Sequence, residues 1–506
     1  MFAEYQPLIQ AAAARVYDVA RCSALDYAVQ ASQALDNRVW LKREDQQSVF
    51  SYKLRGAYNL IATLDDAQRR NGVIAASAGN HAQGVALAAA RMNISATIVM
   101  PKTAPEIKVN AVRRLQARVA LHGNTYDEAR LHAEQLAADE GRTFIPPYDH
   151  PLVIAGQATV GVELLQQCEQ QAHCIFVPVG GGGLIAGIAL HVKAHSPDTL
   201  IIGVEHDGAA SMYRALQAGT RVALNHVDIF ADGAAVRQAG EETFRICREL
   251  VDEVLTVNVD EICAAVKDIY EDTRSIPEPA GALALTGLKQ YVQREQLRDK
   301  RLVAIVSGAN VNFDRLRHIA ELSALGEQRE ALLCTTIAER PGSFRTLCHD
   351  LGPRQITEFN YRYCDSEVAR IFVGVQLRHG IREKDQLLAN LRDKGYQVTD
   401  LSNDEVAKMH IRYMVGGHAP ALSDELLYRF EFPERSGALL HFLTQLSSRW
   451  NISLFHYRNH GAAYGRVLMG IQVPPQLTGE FQQFLDGLGI KYSEETNNPA
   501  YRLFLS

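Results

Sequence analysis

From about residue 37 to residue 310, short apolar runs alternate with longer segments of helical length. The runs RVWLKRE, GVIAASAGN, SATIVMP, RVALHG, CIFVPVGGGG, TLIIGVEHD and LVAIVSGAN end in glycine, asparagine, proline or charge. Between them lie Ala- and Leu-rich stretches such as 81–91 and 184–195. Apolar strands separated by helices predict an α/β architecture of parallel sheets covered on both faces. The span is long enough for two lobes with a cleft between them. Ligands in such folds sit beyond the carboxyl ends of the strands. The glycine and polar clusters of this chain fall at that edge.

After about residue 325 the pattern changes and repeats. AERPGSFRTLCHDL at 338–351 is similar to PERSGALLHFLTQL at 433–446, ITEFNYRY at 356–363 to ISLFHYRN at 452–459, and ARIFVGVQL at 369–377 to GRVLMGIQV at 465–473. The order is kept at an offset of 95 to 96 residues. Each copy reads strand, Gly turn, amphipathic helix, strand, strand, helix. That order predicts a small α+β sandwich of the ferredoxin-like type. The predicted domains are 1–325, 330–402 and 424–506. The repeat holds no cluster of nucleophile, base and orienter, so a binding module is expected there. A purely dimerising domain is the plainer alternative.

Composition narrows the class. Of 506 residues, 47% are hydrophobic and 22% charged, with a net charge of −6. That is the balance of a soluble globular protein of three or more domains. No basic tract points to nucleic acid, and no run approaches a membrane span. The N-terminus has no basic stretch of the secretory kind. The eight cysteines form no CxxC pair. Reduced thiols packed in the core of a cytoplasmic protein are expected.

Three motifs carry candidate chemistry. VGGGGLIAG, Val179 to Gly187, follows an apolar strand and opens a helix. Consecutive glycines let backbone N–H groups close around an anion at a helix N-terminus. The motif is neither a dinucleotide fingerprint nor a Walker A loop. SAGNHAQG, Ser77 to Gly84, has residues that hold a carboxylate or phenolic oxygen, although Ser and Asn are also ordinary caps. SGAN, Ser307 to Asn310, ends the last strand of the α/β region. Upstream, Lys53 stands among Phe50, Tyr52 and Leu54. Most lysines are solvated surface charges. A buried amine with a lowered pKa instead attacks carbonyls. A reactive amine, a phosphate cup, an oxyanion shelf and a polar strand end are together the equipment for pyridoxal phosphate.

The stretches KREDQQSVFSYKLRGA, SAGNHAQG, PVGGGGLIAG, EPAGA and SGAN resemble, in order, the fold type II pyridoxal-phosphate enzymes, in particular the threonine and serine dehydratases. The repeat resembles the paired ACT-like regulatory domains of biosynthetic threonine deaminases. The resemblance implies that Lys53 binds the cofactor aldehyde and later moves the Cα proton. It implies that Asn80 bonds the cofactor's 3-oxygen. Gly180, Gly181, Gly182, Gly183 and Leu184 would hold the phosphate through backbone amides, and Ser307 would face the ring nitrogen. Ser77, Ala78, Gly79 and His81 would shape the substrate carboxylate site. A serine hydroxyl does not hold the ring nitrogen protonated as an aspartate would, which suits prompt β-elimination. Serine racemases of this fold carry a proton-donating serine where this chain has Ala78, so weak racemisation is expected. Glu205 and Ala209 match a spacing that binds a cation in some relatives, but the other ligands are not evident.

For the repeat, the resemblance implies isoleucine as inhibitor and valine as its antagonist, in a homotetramer. Phe344, Arg354, Tyr361, Leu439 and Tyr457 are the candidate effector positions, with helix core the alternative for Phe344 and Leu439 and core packing for the tyrosines. Glu339-Arg340 and Glu434-Arg435 precede the Gly turn in each copy. The function implied is conversion of L-threonine to 2-oxobutanoate and ammonia. Three alternatives stay open on sequence grounds: a serine-preferring dehydratase, an amino-acid sensor with a vestigial catalytic half, and a nucleotide-binding α/β enzyme.

Overall fold

The structure is a computed structural model that describes residues 1–364, 367–419, 422–433, 438–445, 450–458, 464–499, 501 and 505. The chain divides into two compact units, Met1–Gly326 and Glu327–Ser506.

The first unit contains two sheets. Its strands are β1 (Leu25–Tyr27), β2 (Arg38–Arg43), β3 (Val73–Ala76), β4 (Ala96–Met100), β5 (Arg118–Leu121), β6 (Thr143–Phe144), β7 (Cys174–Pro178), β8 (Leu200–His206), β9 (Glu253–Val257) and β10 (Arg301–Val306). The larger sheet has the order β1-β2-β10-β7-β8-β9. Only its edge strand β1 runs antiparallel, to β2. The smaller sheet, β5-β4-β3-β6, is wholly parallel. All seven predicted runs form strands. Their inner residues are apolar on both faces because helices cover both sides.

The helix Pro151–Gln167 runs through the middle of this unit with most of its residues buried. Beside it lies the helix Lys53–Ile61. A Cβ on Gly156 would sit 2.6 Å from the Gly56 Cα, so glycine at both positions lets the two backbones meet. Helix ends follow their sequence signals. Thr125 and Glu128 close a capping box at Tyr126–Glu140, as Asn258 and Glu261 do at Val259–Thr273.

The second unit is one antiparallel sheet. It contains β11 (Glu330–Ala338), β12 (Ile356–Arg362), β13 (Val368–Gln376), β14 (Gln397–Asp400), β15 (Glu425–Pro433), β16 (Asn451–Arg458), β17 (Tyr464–Gln472) and β18 (Lys491–Glu494). The order is β14-β11-β13-β12-β16-β17-β15-β18. Each half is a four-stranded ferredoxin-like sheet, and β12 pairs with β16 to join them. The two halves share one hydrophobic core.

Cys174, Cys247, Cys263 and Cys348 are buried, as packing thiols should be. Cys22 and Cys364 are exposed, so the core reading fails for those two. Their neighbours in sequence show why: both sit in connecting segments, outside any apolar period. No helix among the described residues is long and apolar enough to cross a membrane.

Candidate active site

Lys53 is the first residue of the helix Lys53–Ile61 and is partly exposed. Its Nζ donates to the Pro147 carbonyl at 3.1 Å and stands 5.3 Å from the Tyr52 ring centre. Burial lowers the ammonium to about 8, with the Glu278 carboxylate pulling the other way. A lysine at that value is in part a neutral amine, and hence a nucleophile and base, near neutral pH.

The glycine run lies within reach of the same loop. Tyr148, next to the lysine's acceptor Pro147, covers Gly181 so closely that a Cβ there would sit 2.3 Å from its ring. A Cβ on Gly180 would meet the Ala234 carbonyl at 2.8 Å. Gly182 has φ +92°, a left-handed conformation that other residues adopt only with strain. It opens the helix Gly183–His195, which has no side-chain cap. The first N–H groups of that helix are therefore available to an anion. Leu184 is buried in the core beneath the run. The Thr243 hydroxyl donates to the Gly181 carbonyl at 2.6 Å, and the Asp149 carboxylate accepts from the backbone N–H of Glu241, Glu242 and Thr243. Both brace the cup from outside, and the sequence reading named neither.

On the other side stands Asn80, at the start of the helix Asn80–Arg91. Its Nδ2 donates to Glu278 Oε1 at 2.5 Å, and its Oδ1 accepts from Asn310 Nδ2 at 2.7 Å. Ser77, Ala78 and Gly79 form the approach to this helix and are partly exposed. Ser77 Oγ accepts from the Gly79 N–H at 3.2 Å. The helix has no side-chain cap, so its amides too are open to an anion. His81 is buried, and its Nε2 donates to the Ile145 carbonyl at 2.8 Å. Burial, with Lys53 adding to it, lowers His81 to about 3, so the ring is neutral. Ser307 is buried at the end of β10, and its hydroxyl donates to the Ala280 carbonyl at 3.4 Å. The Tyr52 N–H donates to the Ser307 carbonyl at 3.3 Å, which ties the lysine segment to this strand end.

The arrangement fits pyridoxal phosphate. An amine of lowered pKa, a cup that no side chain but glycine's fits, and a helix start with unspent amides are brought together, the cup after β7 of the larger sheet and the helix start after β3 of the smaller. Glu205 stands near the end of β8. Its carboxylate accepts from the backbone N–H of Met212 and Tyr213 at 3.0 and 2.7 Å, capping the helix Ser211–Ala218. Burial raises it to about 8 against those hydrogen bonds. Among the described residues, no group of three or more His, Cys, Asp or Glu is placed to hold a metal ion.

In the second unit, Phe344 and Leu439 are buried in the core. Phe344 also lines a shallow cleft with Arg340, Arg345, Leu443, Trp450 and Asn451. Tyr361 packs edge-on to Phe344 at 4.9 Å, and its hydroxyl donates to Glu339. The other oxygen of Glu339 accepts from Asn451 Nδ2 at 3.1 Å, so Tyr361 reaches the cleft rim through two partners. Tyr457 is buried in the shared core. Arg354 is turned to Glu383 at 2.8 Å, away from the residues that line the cleft. Glu434 and Arg435 lie outside the described residues.

The model of the pyridoxal-phosphate dependent enzyme family matches residues 21–308, and the chain belongs to that family. The C-terminal regulatory domain of threonine dehydratase matches twice, at 321–411 and 417–505. L-threonine dehydratase biosynthetic IlvA of Burkholderia multivorans is 52% identical over 496 residues, covering 97% of this chain and 98% of that protein. The Escherichia coli protein of the same name is 51% identical over 495 residues, covering 97% and 96%. At this identity over nearly the whole chain, the protein belongs to the biosynthetic threonine dehydratases. The solved structure of processed threonine deaminase isoform 2 from Solanum lycopersicum has a TM-score of 0.62 at 49% identity, covering 64% of this chain and 93% of that one. Maize serine racemase has a TM-score of 0.58 at 32% identity, covering 62% and 95%.

Proposed function

We propose that the protein dehydrates and deaminates L-threonine to 2-oxobutanoate and ammonia, under feedback control by isoleucine with valine opposing it. The observation that supports this best is the Lys53 amine held at Pro147, beside a tyrosine that covers the glycine cup.

In this reading Gly180 to Leu184 hold the cofactor phosphate through backbone N–H groups. Asn80 faces its 3-oxygen and Ser307 its ring nitrogen. Pyridoxal phosphate, when bound, supplies an electron sink for the pair left at Cα. The open amides at the start of Asn80–Arg91, with Ser77, Ala78 and Gly79, receive the substrate carboxylate. Neutral His81 shapes the floor of that shelf rather than carrying a proton. The Lys53 amine takes the Cα proton, and the Cβ hydroxyl takes up one proton as its bond to carbon breaks and departs as water, so that Cα–H and Cβ–OH together lose one water. The released enamine takes up water and loses ammonia, leaving 2-oxobutanoate. Ala78 offers no proton to the opposite face, so elimination prevails over racemisation.

For control, the cleft in the second unit has the chemistry for an aliphatic amino acid. Phe344, Leu443, Trp450 and Ile452 supply an apolar wall, while Arg340 and Arg345 supply cations for a carboxylate. An effector controls turnover only by binding two conformations unequally. The chain is read as catalytic domain 1–325 followed by regulatory domains 330–402 and 424–506, in a cytoplasmic homotetramer. Ending the chain after Gly326 is expected to leave threonine turnover within about threefold and to abolish its response to isoleucine. Steady-state assays of the truncated and full chains check this. Inhibition retained by the truncated chain would move the effector site into the first unit.

A further inference from the structure

Glu278 is a charged side chain at the centre of the site to which the reading above gives no task. It is the N-cap of the helix Pro279–Glu295, yet its side chain makes no cap hydrogen bond. Here it turns away and accepts from Asn80 Nδ2 at 2.5 Å. It is buried, and a Cβ on Gly308 would lie 2.6 Å from its Oε1. The charged groups facing it are Lys53 of the helix Lys53–Ile61, Asp232, and Lys108 of the helix Glu106–Arg114, which is paired with Asp232. The Tyr52 hydroxyl also faces it.

These contacts decide which way the Asn80 amide points. Asn310 Nδ2 is itself held by the Val49 carbonyl at 2.9 Å and donates to Asn80 Oδ1. The Asn80 oxygen is thus committed to a donor, and one of its two N–H bonds to a carboxylate. One N–H is left over for a further acceptor. Without Glu278, the amide would have no anion to hold its nitrogen on that side.

We propose that Glu278 is a positioning residue for the cofactor. It fixes the Asn80 amide so that its remaining N–H meets the cofactor's 3-oxygen, and its negative charge sustains the positive charge of the nitrogen at Lys53. The inference rests on the assignment of Lys53 and Asn80 as cofactor residues. Burial works against the second part: it raises the Glu278 carboxyl to about 7, Asp232 adds to the rise, and the Asn80 hydrogen bond opposes it, so the negative charge is fully present only above that value. The site therefore holds an acid and an amine whose charges depend on each other.

Two substitutions separate geometry from charge. Glu278→Gln keeps an acceptor oxygen for Asn80 and removes the charge. Glu278→Ala removes both. Pyridoxal phosphate affinity would be titrated on the full-length variants by absorbance, and the visible spectrum of the loaded proteins followed from pH 6 to 10. The Ala variant is expected to bind about tenfold more weakly or worse, as loss of a hydrogen bond to a charged group implies. The Gln variant is expected to bind within about threefold of the parent. Its spectral titration should fall by about one pH unit, the low end of what a lost neighbouring charge does. Parental affinity in the Ala variant would overturn the proposal, and so would a parental titration in the Gln variant. Should the Ala variant fail to fold, the near-isosteric Gln variant decides alone. Lys53→Ala is the control for the underlying reading. Cofactor still covalently retained by that variant would overturn the Lys53 assignment itself, whatever Glu278 does.

Discussion

Lys53→Ala is expected to lower threonine turnover by more than about 10⁴-fold while leaving the fold intact. The amine is asked to do two things in this account, to bind the cofactor and to move the Cα proton. Positioned proton transfer alone contributes up to about 10⁴-fold, and the loss of the covalent anchor adds to it. The folded unit should tolerate the change, because Lys53 is partly exposed and makes one hydrogen bond, to Pro147. Circular dichroism and a stopped assay for the oxoacid check both halves. Turnover near the parental rate would remove Lys53 from the chemistry.

Arg55→Ala should have the larger effect on stability. Arg55 stands two residues after the lysine on the same helix and is fully buried. Its Nε and Nη2 grip Glu44 at 2.8 Å each, and its Nη1 donates to Glu163 at 2.6 Å and Thr159 at 3.1 Å. Nη2 also donates to the Arg21 carbonyl at 3.1 Å, so all five N–H groups are used. Lys42 completes the cluster with bonds to Ser23, Glu163 and Gln167. Removing the guanidinium strands Glu44 without its cation and leaves Lys42 as the one cation paired with Glu163. Breaking a buried pair in this way costs about 3–5 kcal/mol. The cost is read as a lower midpoint of urea unfolding. Arg55→Lys should recover little, since an ammonium cannot span both carboxylates. An alanine variant as stable as the parent would contradict the account of what seats the helix.

The same cluster gives the acid side of stability its sign. Burial works to raise the Glu163 carboxyl, but Arg55 and then Lys42 hold it below the ordinary range. A carboxylate depressed in the folded state stabilises it above the unfolded-state pKa. That contribution is lost as pH falls through the folded value.

Much of this was legible in the chain. Each of the seven apolar runs ending in glycine, asparagine, proline or charge became a strand, because a parallel strand buried on both faces reads as a continuous apolar stretch. The repeat was legible because its two copies keep their order and pair into one sheet. The strands missed were those without that signature. β9 has charged Glu253 at its start, and β1 and β6 have three and two residues. The cluster around Arg55 was not legible, since its partners come from segments 11 to 108 residues away and share no period. Glu278 was visible only as a letter in EPAGA. Its task depends on which way the side chain turns, and a favoured cap residue would have turned the other way. Tyr361 and Tyr457 are followed alike by arginine in the sequence. In the structure both pack in the shared core, and Tyr361 also reaches the cleft rim through Glu339.

One chain joins a pyridoxal-phosphate enzyme unit to a regulatory unit. The most direct test is 2-oxobutanoate formation from L-threonine by the purified full-length protein, with and without L-isoleucine. Turnover that isoleucine suppresses and valine restores is the expected result. A cofactor-loaded protein that does not convert threonine, or whose turnover isoleucine leaves untouched, would contradict it.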